Sequence, residues 1–224
     1  MPKPIVFVHV PKTAGTSFLE VMRVNYGDSF CRVKGTDEIN NVNEHHIAIG
    51  GHYALEVQNA NRHLWNVPRV VALRDPVERL ISLYYFYRYV RVHRYEKLWK
   101  GLSLEQFAND NSIAGIDNEA TRMLSGRVDF GGARKSERPL TNADLRRAKN
   151  NLDGYAVIGF TDRFDKFLHT VADKFDWTVR EYSRKLVNQR KPPSNKISKP
   201  VRQEIAKLNW MDIELYEYAK SRYW

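Results

Sequence analysis

The passage that most constrains this chain is Ile5 to Leu19, I-V-F-V-H-V-P-K-T-A-G-T-S-F-L. Ile5 to Val10 is an apolar run rich in β-branched residues and reads as a buried strand. It breaks at Pro11, passes Lys12, Thr13, Ala14 and Gly15, and enters a segment with helical spacing (Phe18, Val21, Met22, Asn25) that stops before Gly27. Strand, tight loop and helix together aim backbone N–H groups and the positive end of a helix dipole at one point, which suits an anion. Lys12 adds a full charge, and Thr13, Thr16 and Ser17 add hydroxyls. A phosphate-type group held at residues 11–17 is the expectation. The competing reading is an ordinary strand-to-helix turn with a solvated lysine.

The loop differs from the common triphosphate loop, G-x-x-x-x-G-K-[ST], in which the lysine follows the glycines. Here Lys12 precedes Gly15 and no glycine stands ahead of it. That counts against an ordinary ATPase or GTPase.

Further along, Phe30–Lys34, His46–Gly50, Pro68–Arg74 and Ala156–Phe160 read as strands. Between them lie helical patterns. Asp75-Pro76-Val77-Glu78 is a strong start, with Asp75 as N-cap, Pro76 in the first position and Glu78 closing a capping box, for a helix running to about Val92. Short helices are expected over Ser103–Asn109 and Asn118–Leu124, and longer ones after Thr141, after Thr161 and over about 201–222. Residues 127–139 and 184–199 read as basic loops. Alternating strands and helices imply an α/β fold, P-loop-like and three-layered, with a mostly parallel central sheet flanked by helices. A chain of 224 residues fits one such domain, taken as residues 1–224. In these folds ligands bind outside the carboxyl ends of the strands. The anion loop, His52 after Gly50-Gly51, and Arg74 all fall there.

Arg74 stands where a strand ends, and Ser82 lies two turns into the following helix, so a guanidinium and a hydroxyl can face one ligand. Competing readings are a salt bridge from Arg74 to Asp75 or Glu78, and a small packing residue at Ser82. Taken with the first loop, they suggest a ligand with two separated anionic groups.

The pairing of H-V-P-K-T-A-G-T-S-F with V-V-A-L-R-D-P-V-E-R-L-I-S-L-Y-Y-F resembles the carbohydrate sulfotransferases that use 3′-phosphoadenosine 5′-phosphosulfate (PAPS), nearest in pattern the uronosyl and heparan 2-O-sulfotransferases. The resemblance implies PAPS as donor and 3′-phosphoadenosine 5′-phosphate (PAP) as product, with no metal required. It implies that Lys12, Thr13, Ala14, Gly15, Thr16 and Ser17 grip the 5′ end, and that Arg74 and Ser82 grip the 3′-phosphate. Weaker similarity places Gly51-His52 in the family's glycine–histidine segment, Asn118–Gly126 in its acceptor-side helix, Ala148–Phe164 in its late strand and helix, and Asn188–Pro192, with Arg190 and Lys191, in a basic loop over the nucleotide. Two departures concern the acceptor. The heparan enzyme has histidines on both sides of the glycine, where this chain has Gly50 and His52, and an arginine where this chain has His9.

Transfer of a sulfuryl group to an alcohol needs a base for the hydroxyl proton and a positive partner for the departing phosphate. A histidine near its ordinary pKa of about 6.5 suits the first task. His52 is the candidate base and Lys12 the candidate leaving-group partner. His9 either packs inside its strand or faces the acceptor. Arg122, Arg127, Arg134 and Lys135 read as solvated surface charges with an acidic sugar as the alternative.

The net charge of +10 favours anionic partners. The expected acceptor is a hydroxyl-bearing oligo- or polysaccharide, with nucleic acid not among the partners. No apolar run is long enough for stable membrane insertion, and with Cys31 as the lone cysteine a cytoplasmic setting is expected. The oligomeric state stays open. The alternatives are a P-loop-type kinase, with Asp75 on magnesium, and a non-enzymatic polyanion-binding protein resting on charge alone.

Overall fold

The computed structural model describes residues 2–34, 38, 41–89, 101–110, 115–126, 139–182, 192–193 and 196–224. Five strands, β1 (Ile5–Val8), β2 (Phe30–Val33), β3 (Ala48–Gly51), β4 (Arg69–Leu73) and β5 (Val157–Phe160), form one sheet in the order β2-β3-β1-β4-β5. All of its pairings are parallel.

Alternation along the strands divides the core. Val6 and Val8 of β1, with Val71 and Leu73 of β4, face one hydrophobic cluster. Ile5 and Phe7, with Val70 and Ala72, face the other. Helices α1 (Gly15–Tyr26) and α7 (Phe164–Lys174) cover the second face through Phe18, Met22, Phe167 and Val171. On the first face lie α2 (Ala54–Ala60), α5 (Glu119–Leu124), α6 (Asn142–Asp153) and α9 (Trp210–Tyr223). Three layers result, as the alternation of elements implies. A third cluster joins α3 (Pro76–Tyr89), α4 (Leu104–Asn109) and α8 (Lys199–Leu208) through Leu80, Phe107 and Ile205.

From β1 the chain runs out to β2 at one edge, returns to β3 beside β1, and then crosses to β4 on the other side. This reversal opens a crevice at the carboxyl ends of β1 and β4, the position where open α/β sheets take ligands.

The strands lie within two residues of their expected bounds. The Asp75 carboxylate accepts the Glu78 N–H at 2.9 Å, capping α3 as read, while the Glu78 carboxylate pairs with Arg202 of α8 at 2.8 Å. Thr161 does not cap a helix directly. Residues Thr161–Arg163 form a 3-10 turn and α7 starts at Phe164. The final helical region is two helices, broken at Asn209, whose side chain is buried and accepts the Asn118 N–H. Helix α2 has no counterpart among the expected elements, since it has only seven residues. Of the basic loops expected over 127–139 and 184–199, residues 127–138, 184–191 and 194–195, with Arg127, Arg134, Lys135, Arg190 and Lys191, lie outside the described residues, as does the α3 extension beyond Tyr89.

Close packing of α7 on β5 depends on Gly159, where an added β-carbon would stand 2.1 Å from Phe167 Cδ2. Gly159→Ala is expected to cost about 1–3 kcal/mol through overpacking, seen as a lower urea midpoint with an unchanged slope.

Candidate functional site

The loop between β1 and α1 is backbone under strain. Lys12 has φ 69° and Ala14 has φ 62°, both left-handed without being glycine. Such residues cost about 1–2 kcal/mol each, and they gather at ligand clamps. Two hydrogen-bond sets hold the shape. The Thr13 hydroxyl donates to Val10 O at 2.8 Å, and Ala14 O accepts from the N–H groups of Ser17 and Phe18 at 3.1 and 3.4 Å. The first N–H groups of α1 have no acceptor inside the helix, so the loop presents them outward. Thr13 corrects the sequence reading in one respect. Its hydroxyl proton is committed to Val10 and its side chain is buried, so it offers a ligand only backbone. Ser17 is buried as well, whereas Thr16 is half-buried and Ala14 exposed.

Arg74 reaches this loop from the end of β4, its Nη1 donating to Lys12 O at 3.1 Å. The Lys12 ammonium lies 3.9 Å from the centroid of the Phe86 ring on α3. Ser82 precedes Phe86 by four residues and therefore shares its helix face. Lys12 and Arg74 thus meet at one end of the sheet, with Ser82 one turn before Phe86 on α3. Burial, and then the Arg74 charge, push Lys12 down to about 8, and burial lowers Arg74 as well. Among the described residues no carboxylate pairs with Lys12. Asp75 and Glu78 partly offset the Arg74 charge, so it is Lys12 above all that gains from an anion. A cleft beside them is lined by Val10, Thr13, Arg74, Arg79, Asp212 and Tyr216, among others.

His52 follows β3, beside the start of the loop. A β-carbon on Gly51 would stand 1.9 Å from Val33 O, so only glycine lets β3 pass β2 here and deliver the histidine. The His52 Nδ1 lies 2.7 Å from His9 O. A carbonyl can only accept, so Nδ1 carries the proton and Nε2 holds the basic lone pair. Burial lowers the His52 pKa, with the Arg32 charge adding to it, against the opposing hydrogen bond to His9. The ring is neutral near pH 7. His9, the competitor, is 6% exposed and stacked on His52 with ring centroids 4.4 Å apart. Its pKa lies well below the ordinary value, through burial first and then the charges of His52, Arg32 and Lys12.

With loop, cations and histidine in view, comparison with known proteins is decisive. The sulfotransferase family profile matches residues 2–219. The chain belongs to the sulfotransferase family. Heparan-sulfate 6-O-sulfotransferase 3 of Mus musculus is 33% identical over 132 residues, which covers 55% of this chain and 26% of that protein. The Homo sapiens protein of the same name gives the same figures. Heparan-sulfate 6-O-sulfotransferase 2 of Gallus gallus is 30% identical over 127 residues, 55% of this chain and 31% of its own length. The match therefore spans under a third of these relatives. They are 6-O-sulfotransferases by name, whereas the motifs resembled the 2-O enzymes. Membership among carbohydrate sulfotransferases is common to both.

Sequence reasoning missed the polar core beneath the cleft. Arg79 is 1% exposed, and its Nη2 donates to Gly115 O at 2.8 Å beside Glu119 and Asp212. The Asp212 carboxylate accepts the N–H groups of Ala120 and Thr121 at 3.0 and 2.7 Å, capping α5. In return Asn118 Oδ1 accepts from Met211 and Asp212 at 2.9 and 3.1 Å, capping α9. Arg122 belongs here too. It is buried and paired with Asp117 at 3.4 Å, which corrects the surface-charge reading. A charge at a core-spaced position of α3, as at Arg79, was the available signal.

Burial holds the Glu119 carboxyl at about 7, with Arg79 opposing. Raised above the unfolded value of 4.5, it favours the fold below about 4.5, and that contribution is lost as pH climbs through 7. Glu119→Gln is expected to flatten urea stability between pH 4.5 and 8, and to be more stable than wild type at pH 8 by on the order of 1–3 kcal/mol.

Proposed function

We propose that residues 1–224 act as one sulfotransferase domain that moves a sulfuryl group from PAPS to a carbohydrate hydroxyl. The observation that carries this reading is the meeting of Lys12 and Arg74, two half-buried cations from different strand ends, at a strained N–H loop beside a neutral histidine.

The residues fit the donor. The loop amides from Thr13 to Thr16, with Lys12, hold its 5′ end, and Arg74 with Ser82 hold its 3′-phosphate. By the family resemblance, Arg190 and Lys191 add basic charge toward the nucleotide. Once bound, the donor supplies an activated sulfuryl group on a phosphate leaving oxygen. His52 Nε2 takes the proton of the acceptor hydroxyl, its Nδ1–H held by His9 O so that the ring keeps one orientation. The Lys12 ammonium neutralises charge that develops on the phosphate oxygen, and its partial burial strengthens that interaction. The net charge of +10 and the heparan-sulfate names of the relatives favour an acidic polysaccharide as acceptor. This chemistry draws on lysine, arginine and backbone amides and has no step that needs a metal.

Arg74→Ala is expected to weaken PAP binding by about 10–150-fold, the loss of a charged hydrogen-bonding partner, while adenosine 5′-phosphosulfate, which lacks the 3′-phosphate, changes far less. Equal losses for both ligands would contradict the assignment of Arg74. The pH dependence has a sign. Only protonated Lys12 attracts phosphate, so PAP affinity falls as pH rises through about 8, by up to about tenfold per unit, and Lys12→Ala removes this dependence. Mass spectrometry of a saccharide panel that includes heparan sulfate, incubated with PAPS, should show sulfated product with wild type and none with His52→Ala.

A further inference from the structure

His9 orients His52 through its carbonyl, whereas the His9 imidazole has no role in the chemistry above and yet lies between the two halves of the site. It continues from β1 directly before the anion loop. Its imidazole fills the space over Gly15, where an added β-carbon would stand 2.0 Å from Cδ2 and 2.1 Å from Nε2. The His52 ring stacks on it at 4.4 Å and 23°, and Phe7 stacks on it at 5.6 Å and 17°. The main chain repeats the link. His9 N–H donates to Gly51 O at 3.1 Å, and His9 O accepts from His52 Nδ1 at 2.7 Å.

One ring therefore touches both the first residue of α1 and the candidate base. Among the described residues the His9 Nδ1 meets no hydrogen-bond partner. An unpaired buried polar atom is costly, so a hydrogen bond from Nδ1 does not account for a histidine here. Its shape does, because a flat five-membered ring fits beneath the α1 N-terminus and offers its face to His52. Burial keeps it neutral, so it adds no charge repelling the proton that His52 is to accept.

We propose that His9 is a positioning residue, a wedge that fixes the distance and orientation of the His52 imidazole relative to the anion loop. This rests on reading His52 as the base. Among the described residues, the charged and titratable groups that act on the pair include Arg32 on β2, Lys12 in the loop and the two histidines themselves.

The test is histidine-ring NMR of the free protein across pH 4.5–8, with the His52 signal assigned by its loss in His52→Ala. Wild-type His52 titrates below 6.5. In His9→Ala water gains the vacated space and the His52 titration moves up toward 6.5. Gly15→Ala pushes the ring aside by a second route and gives the same upward shift, so the test survives if His9→Ala does not fold. In the double variant the two changes do not add, because both act through one ring. With PAPS and heparan sulfate, His9→Ala lowers kcat by about 10–100-fold while its PAP Kd stays within about threefold of wild type. An unshifted His52 titration in both single variants, additive shifts in the double, or a wild-type kcat in His9→Ala would overturn the proposal. The titration is read without turnover. A His52→Ala enzyme that still transfers sulfuryl would instead end the assignment of His52 as base.

Discussion

Everything at the carboxyl end of this sheet depends on holding two like charges together. Arg74 comes from β4 and Lys12 from the loop after β1, and the guanidinium donates to the carbonyl of the lysine itself. The Lys12 ammonium then lies over Phe86, giving the charge an aromatic face in place of a carboxylate. Burying the two cations costs free energy, visible in the lowered pKa of both groups; the Arg74 charge adds to the lowering at Lys12, whereas Asp75 and Glu78 oppose it at Arg74. The three-layer core withstands it because the strands that deliver the two cations are buried on both faces. The Lys12 charge, met by no carboxylate among the described residues, suits the crevice to an anion.

The histidine pair is arranged on a different principle. Its groups are kept neutral by burial, and orientation comes from backbone atoms that cannot turn. Gly51 and Gly15 are needed for opposite reasons. The first lets β3 pass the β2 backbone on its way to His52, and the second leaves room for the His9 ring beneath α1. Beneath both lies the polar core of Arg79, Glu119 and Asp212, in which α5 and α9 cap each other's ends. That core ties the first turns of α3, next to Arg74, to the C-terminal helices.

Much of this was legible in the sequence because it rests on local rules. The strand-to-helix passage at Ile5–Leu19, the Asp75-Pro76 start of α3 and the Thr141 cap of α6 are each written within a few residues. The meeting of Lys12 with Arg74 could be inferred from two motifs at strand ends. Contacts between residues far apart in the chain could not. Nothing near Phe86 signals that it receives Lys12, and nothing near Asn118 signals that Asn209 and Asp212 complete its bonds 91–94 residues away. Thr13 shows the same limit at short range. A hydroxyl beside an anion loop reads as a ligand contact until the fold turns it toward Val10.

Isothermal titration of the protein with PAP tests the central claim most directly. Two cations awaiting a doubly phosphorylated nucleotide predict saturable binding at one site, weakened by salt and weaker still when either Lys12 or Arg74 is replaced by alanine. No heat of binding at any salt concentration or pH between 6 and 8, from protein shown to be folded, would contradict it.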